Sequence, residues 1–188
     1  MNYNFKEILS KNNKIAAVKD SDGLEKALLS SSKIIFILSS DICNIEEISR
    51  KIKAQGKLCF IHLDMIQGLN SKENSAITFL KENTFADGII TTKAQIAKFA
   101  KKLGFLVILR CFLIDSMSLN TAFKLFSEPY IDAIEFLPGV MPKIIKKIST
   151  KSPIPIIAGG LISDSDDIDI ALKNGAIAIS TTKLILIE

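Results

Sequence analysis

At 188 residues, 48% apolar and 23% charged, the chain is long enough for one domain with a sizeable core, and its net charge of +4 permits contact with a polyanion without demanding it. No apolar run reaches the ~18 residues of a membrane span, and Met1 to Glu7 carries no apolar signal core. Three cysteines without a CxxC and a single histidine argue against a disulfide framework or a zinc site, so a soluble, cytoplasmic protein with buried free thiols and no metal is expected.

Phe5, Ile8 and Leu9 share one face of a short leading helix over residues 4–12. A first apolar run, Lys14 to Val18, meets the helix-start cluster Asp20-Ser21-Asp22-Gly23, with Leu24, Ala27 and Leu28 at helical spacing beyond it. Ile34 to Leu38 is a second strand, and Ile45, Ile48 and Ile52 mark a helix ended by Gly56. The third strand, Leu58 to Asp64, ends on polar groups, and alternation places Phe60, His62 and Asp64 on one face. Ile77, Phe79 and Leu80 follow on a helix. Asp87 to Thr92 is a fourth strand, from which Lys93 opens a helix running to Gly104.

The fifth strand runs from Phe105 to Arg110 or a little beyond, and Asp115-Ser116 caps a helix carrying Leu119, Ala122, Phe123 and Phe126. The sixth, Ile131 to Phe136, is broken by Pro138-Gly139 before a helix with Ile144, Ile145 and Ile148. Pro155 to Ile162 and Ala176 to Thr182 are the seventh and eighth, with helical spacing between Ser163 and Gly175. Eight strand-plus-helix units predict an α/β fold, a compact (β/α)8 TIM barrel with short loops and a truncated final helix, as a single domain over residues 1–188. An open doubly wound sheet would have to explain eight units and the absence of a GxGxxG.

In such a barrel, chemistry sits where the strands end, and phosphate is held by the loops after strands seven and eight. Gly159 and Gly160 let backbone N–H groups approach an anion, and Ser180 and Thr181 add hydroxyls. His62 reads either as a hydrogen-bonded core group or as a functional one. Asp64 and Glu135 suit an acid/base pair or, equally, acceptors for the hydroxyls of a polyol. Arg110 inside an apolar strand calls for a carboxylate partner or a ligand anion. The lysines at 143, 146, 147 and 151, and at 98, 101 and 102, are solvated helix faces, or a place to hold a nucleic-acid backbone.

His62 to Leu69, Asp87 to Lys93, Arg110 to Ser116, Ile134 to Val140, Pro155 to Ile162 and Gly175 to Thr181, taken in order over residues 57–182, resemble one family, the glycerol-3-phosphate-responsive antiterminators. Glu-x-x-Pro-Gly at 135–139 and Arg-x-Phe-x-x-Asp-Ser at 110–116 are the more particular motifs. The resemblance implies a barrel without catalytic turnover, one that binds sn-glycerol 3-phosphate as effector and contacts the leader mRNA of glycerol-use genes.

By position, the resemblance implies that Gly159, Gly160, Ser180 and Thr181 take the phosphate. Asp64, Lys93, Arg110 and Glu135, with His62, would line the glycerol end. No matched motif carries the RNA surface, for which Lys143, Lys146 and Lys147 are the candidates. No cofactor is expected, and a homo-oligomer stays open. The rival reading is a barrel enzyme on a small phosphorylated metabolite, with Asp64 or Glu135 as general base and Lys93 as electrostatic partner. A phosphometabolite-binding barrel without a nucleic-acid partner is a third.

Overall fold

A computed structural model describes residues 4–187 of the chain, so the ends of the expected domain, residues 1–3 and 188, lie outside the described residues. Eight parallel strands close into a barrel in chain order. They are β1 (Lys14–Val18), β2 (Ile34–Ile37), β3 (Leu58–His62), β4 (Gly88–Thr91), β5 (Leu106–Phe112), β6 (Ala133–Leu137), β7 (Ile156–Gly159) and β8 (Ala178–Thr181). Helix α1 (Phe5–Lys11) precedes β1. The connections carry α2 (Ser21–Leu29), α3 (Ile45–Ala54), α4 (Asn74–Asn83), α5 (Ala94–Lys102), α6 (Ser116–Lys124), α7 (Pro142–Ser149) and α8 (Ser165–Lys173). The fold is the expected (β/α)8 barrel. After β8 the described chain makes only a 3-10 turn, Leu184–Ile187.

Local chemistry sets the joints. Asp20, Asp115 and Asp164 each accept the N–H three residues on, from Gly23, Ser118 and Asp167, and so start α2, α6 and α8. The strands are apolar on both faces because helices cover one and the barrel interior the other. Ile15, Phe36, Phe60, Ile90, Ile108 and Ile157 belong to one buried interior cluster. Phe5 and Leu9 of α1 join it and plug its lower end, with the Phe5 and Phe60 rings 5.3 Å apart. Gly88 makes room there, since a Cβ would lie 2.4 Å from the Phe60 ring and 2.5 Å from the Leu106 carbonyl.

Two expectations about strand ends change. Strand β3 stops at His62, and the chain turns through a 3-10 segment, Leu63–Met65, so Asp64 leaves the face shared by Phe60 and His62. Strand β7 stops at Gly159, because Gly160 and Leu161 take φ of 74° and 62°, left-handed values no strand tolerates. Two short segments, Ser40–Asp41 and Ile66–Gln67, pair in parallel beyond the C-terminal ends of β2 and β3. Of the cysteines, Cys59 is buried as expected, whereas Cys111 is only half-buried and Cys43 is exposed. No helix among the described residues is long and apolar enough to cross a membrane.

Candidate functional site

Side chains two residues on from an inward-facing strand position face inward again, one layer higher. From Ile108, Ala133, Ile157, Ala178 and Phe60 in the interior cluster, that step reaches Arg110, Glu135, Gly159, Ser180 and His62. The apolar core thus turns polar at the C-terminal mouth. Glu135, with a side chain only 1% exposed, is the hub. One carboxylate oxygen accepts the Ser180 hydroxyl at 2.5 Å, and the other accepts Arg110 Nε at 2.6 Å. The pair is enclosed, and each partner offsets part of the other's desolvation cost.

Gly159 makes this network possible. A Cβ there would stand 2.5 Å from Glu135 Oε1 and 2.6 Å from Ser180 Oγ. Its role is therefore space for the carboxylate, which is a different reason for glycine than anion access. A cavity of about 110 Å³ opens above the network. Arg110, Glu135 and Ser180 form its floor and side, Ala17, Leu38 and Leu137 its apolar wall, and residues 160–162 and 181–182 its rim. The volume is well below the roughly 300–1,000 Å³ of sites for drug-sized ligands, so it suits a small metabolite.

The rim offers donors. The N–H groups of Gly160, Leu161, Ile162 and Thr182 donate to no group among the described residues. Left-handed backbone at Gly160 and Leu161 makes the kind of turn in which successive N–H groups bind anions. The hydroxyls expected to help are engaged instead. Ser180 donates to Glu135, and Thr181 Oγ1 donates to the Ile162 carbonyl while accepting the Lys183 N–H. Arg110 keeps its terminal nitrogens free of protein partners, since only Nε is bonded among the described residues.

Asp64 and Lys93 form a second pair at the ends of β3 and β4. Asp64 accepts the Thr92 N–H at 3.1 Å and its hydroxyl at 3.3 Å, and pairs with the Lys93 ammonium, which also reaches Ser71. Burial works to raise the Asp64 carboxyl, but the hydrogen bonds from Lys93, Thr92 and Ser71 outweigh it and hold the group below its ordinary value. His62 is 3% exposed, and its Nδ1 has no partner among the described residues. Burial first, and the Arg110 charge second, push its pKa down to about 4, so it is neutral at physiological pH. Among the described residues, no group of three or more His, Cys, Asp or Glu side chains gathers as metal ligands would.

The lysines at 143, 146 and 147 lie on α7, far from this network in kind. They are exposed while Ile145 and Ile148 are buried beneath, and none forms an ion pair among the described residues. Lys101, by contrast, is committed to Asp132 at 2.6 Å. Ser71 and the backbone donors of Leu161, Ile162 and Thr182 were not foreseen. Only Gly160 hinted at them, because a left-handed leucine leaves no trace in the residue code.

The fold and site define a class: a (β/α)8 barrel with a small, polar-floored cavity at the C-terminal strand ends. The particular family follows from comparison. The chain belongs to the glycerol-3-phosphate responsive antiterminators, whose family pattern matches residues 14–186. It is 44% identical to the Escherichia coli protein YgcP over 175 residues, covering 93% of this chain and 91% of that one. It is 33% identical to a solved glycerol uptake operon antiterminator regulatory protein from Listeria monocytogenes, with a TM-score of 0.85 over 91% of this chain and 92% of that one. A glycerol uptake operon antiterminator-related protein from Thermotoga maritima is 34% identical, with a TM-score of 0.81 over 93% and 97% of the two chains. The general role that this family carries is regulatory.

Proposed function

We propose that the chain is an effector-gated antiterminator that binds sn-glycerol 3-phosphate and contacts a leader transcript of glycerol-use genes. The observation that carries the ligand half is the set of unpartnered N–H groups from Gly160 to Ile162 and at Thr182, on the rim of a cavity floored by Arg110 and Glu135. The phosphate sits on those donors, with Gly159 and Ser180 supporting the floor and Thr181 bracing the rim. The glycerol hydroxyls meet Glu135 and the free nitrogens of Arg110. Asp64, Lys93 and His62 shape the neighbouring sector of the mouth. The α7 lysines take the RNA backbone.

The rival enzyme reading has less support. Both candidate general bases, Asp64 and Glu135, are held in ion pairs, and His62 is bonded to neither at its Nδ1. The test is a thermal-shift series with glycerol 3-phosphate, glycerol and inorganic phosphate, followed by gel shifts with the leader RNA. Glycerol 3-phosphate should raise the melting temperature much more than glycerol and should change RNA affinity. Equal shifts with glycerol would remove the phosphate assignment, and no RNA binding at low salt would return the case to a binding module or an enzyme.

A further inference from the structure

The charges around the cavity are few and already matched. Arg110 and Glu135 are the only charged residues lining it among the described residues, and they neutralise one another at 2.6 Å. Next door, Lys93 is neutralised by Asp64, and the nearby imidazole of His62 is uncharged at neutral pH. Anion binding there rests on backbone N–H groups, confined to the 160–162 and 182 side of the cavity. The floor beside them presents the Glu135 carboxylate, which is 1% exposed and cannot withdraw into water.

We propose that Glu135 is the specificity-determining residue of the site, admitting a phosphomonoester with an uncharged, hydroxylated tail and rejecting one whose tail carries a second anion. This rests on the phosphate reading above. With both oxygens already accepting, from Ser180 and Arg110, an ionised carboxylate still has lone pairs for a ligand O–H, since it can hold about four bonds and donates none. A hydroxyl tail donates to it. A carboxylate tail brings like charge against like charge in a low-dielectric pocket, with one guanidinium shared between two anions. Gly159 secures the arrangement, because any side chain there would push Glu135 aside.

The test compares glycerol 3-phosphate with 3-phosphoglycerate, the same three-carbon frame ending in a carboxylate. Calorimetric titrations at neutral pH would use the wild-type protein and Glu135→Gln, with folding of the variant checked by circular dichroism. The wild type should favour glycerol 3-phosphate on the order of 100-fold, the scale of a like-charge clash in an enclosed site. Glu135→Gln should cut that ratio roughly tenfold or more, since the amide keeps the shape and removes the charge. A wild-type ratio near one would overturn the proposal even if the variant does not fold. An unchanged ratio in a folded variant would also overturn it, by placing selectivity elsewhere. If neither compound binds, the phosphate reading itself fails and takes this inference with it.

Discussion

Single residues set the chemistry of the mouth, and two of them make opposite demands. His62 is kept neutral by burial and by the Arg110 charge, with a pKa near 4 against 6.5 for a free imidazole. Between those values the unfolded chain binds a proton that the folded one refuses, so stability falls as pH drops from about 6.5 to about 4 and levels off below. The full effect is about 3 kcal/mol. Denaturant melts at pH 7 and pH 4.5 should show this loss in the wild type and a smaller one in His62→Gln. Gly159→Ala works through space alone: its methyl displaces the Glu135–Ser180 contact, costing about 1–3 kcal/mol of overpacking and abolishing the ligand-induced thermal shift. A normal shift in that variant would mean the network does not shape the site. The inward polar layer was legible in the sequence, because alternation along a strand is a local rule. The use of each polar group was not, since Glu135 and Ser180 lie 45 residues apart and only barrel closure brings them together.

At the scale of elements, one device recurs at the lower end of the barrel. Asp87, just before β4, accepts the Cys59 N–H of β3 and pairs with Lys53 of α3. Asp132, just before β6, accepts the Val107 N–H of β5 and pairs with Lys101 of α5. Each carboxylate thus ties a strand, its predecessor and the helix leading in. Asp87→Ala and Asp132→Ala should each cost about 1–3 kcal/mol, because a strand-end N–H loses its acceptor as well as an ion pair. Asn at either position keeps an oxygen for the N–H and should cost distinctly less; equal losses for Ala and Asn in urea melts would assign the whole effect to the lysine pairing. These joints explain why eight units were readable while their limits were not. The apolar periodicity and Asp caps are written locally. The halt of β3 at His62, by contrast, depends on Asp64 finding Thr92 and Lys93 at the end of the neighbouring strand, some thirty residues on.

In the whole molecule, the proposed ligand and RNA contacts belong to different layers. The cavity floor is made by strand ends whose charges are paired, and the candidate RNA contacts are exposed lysines on α7 without an ion pair among the described residues. A polyanion gains nothing at the mouth, where the lining charges cancel, but releases counterions wherever it meets Lys143, Lys146 and Lys147. The triple variant Lys143→Ala, Lys146→Ala, Lys147→Ala should therefore bind glycerol 3-phosphate normally and bind leader RNA weakly, with the slope of log affinity against log salt smaller by about 2–3. An unchanged slope would move the RNA surface off α7. Because the two surfaces are separate, any effect of the metabolite on RNA affinity is a coupling free energy, and it must be reciprocal. Glycerol 3-phosphate titrated into the protein–RNA complex should then show its own affinity changed by the same factor that it imposes on the RNA. A factor of one in both titrations would mean that the two sites are uncoupled and that the metabolite does not gate RNA binding through the barrel.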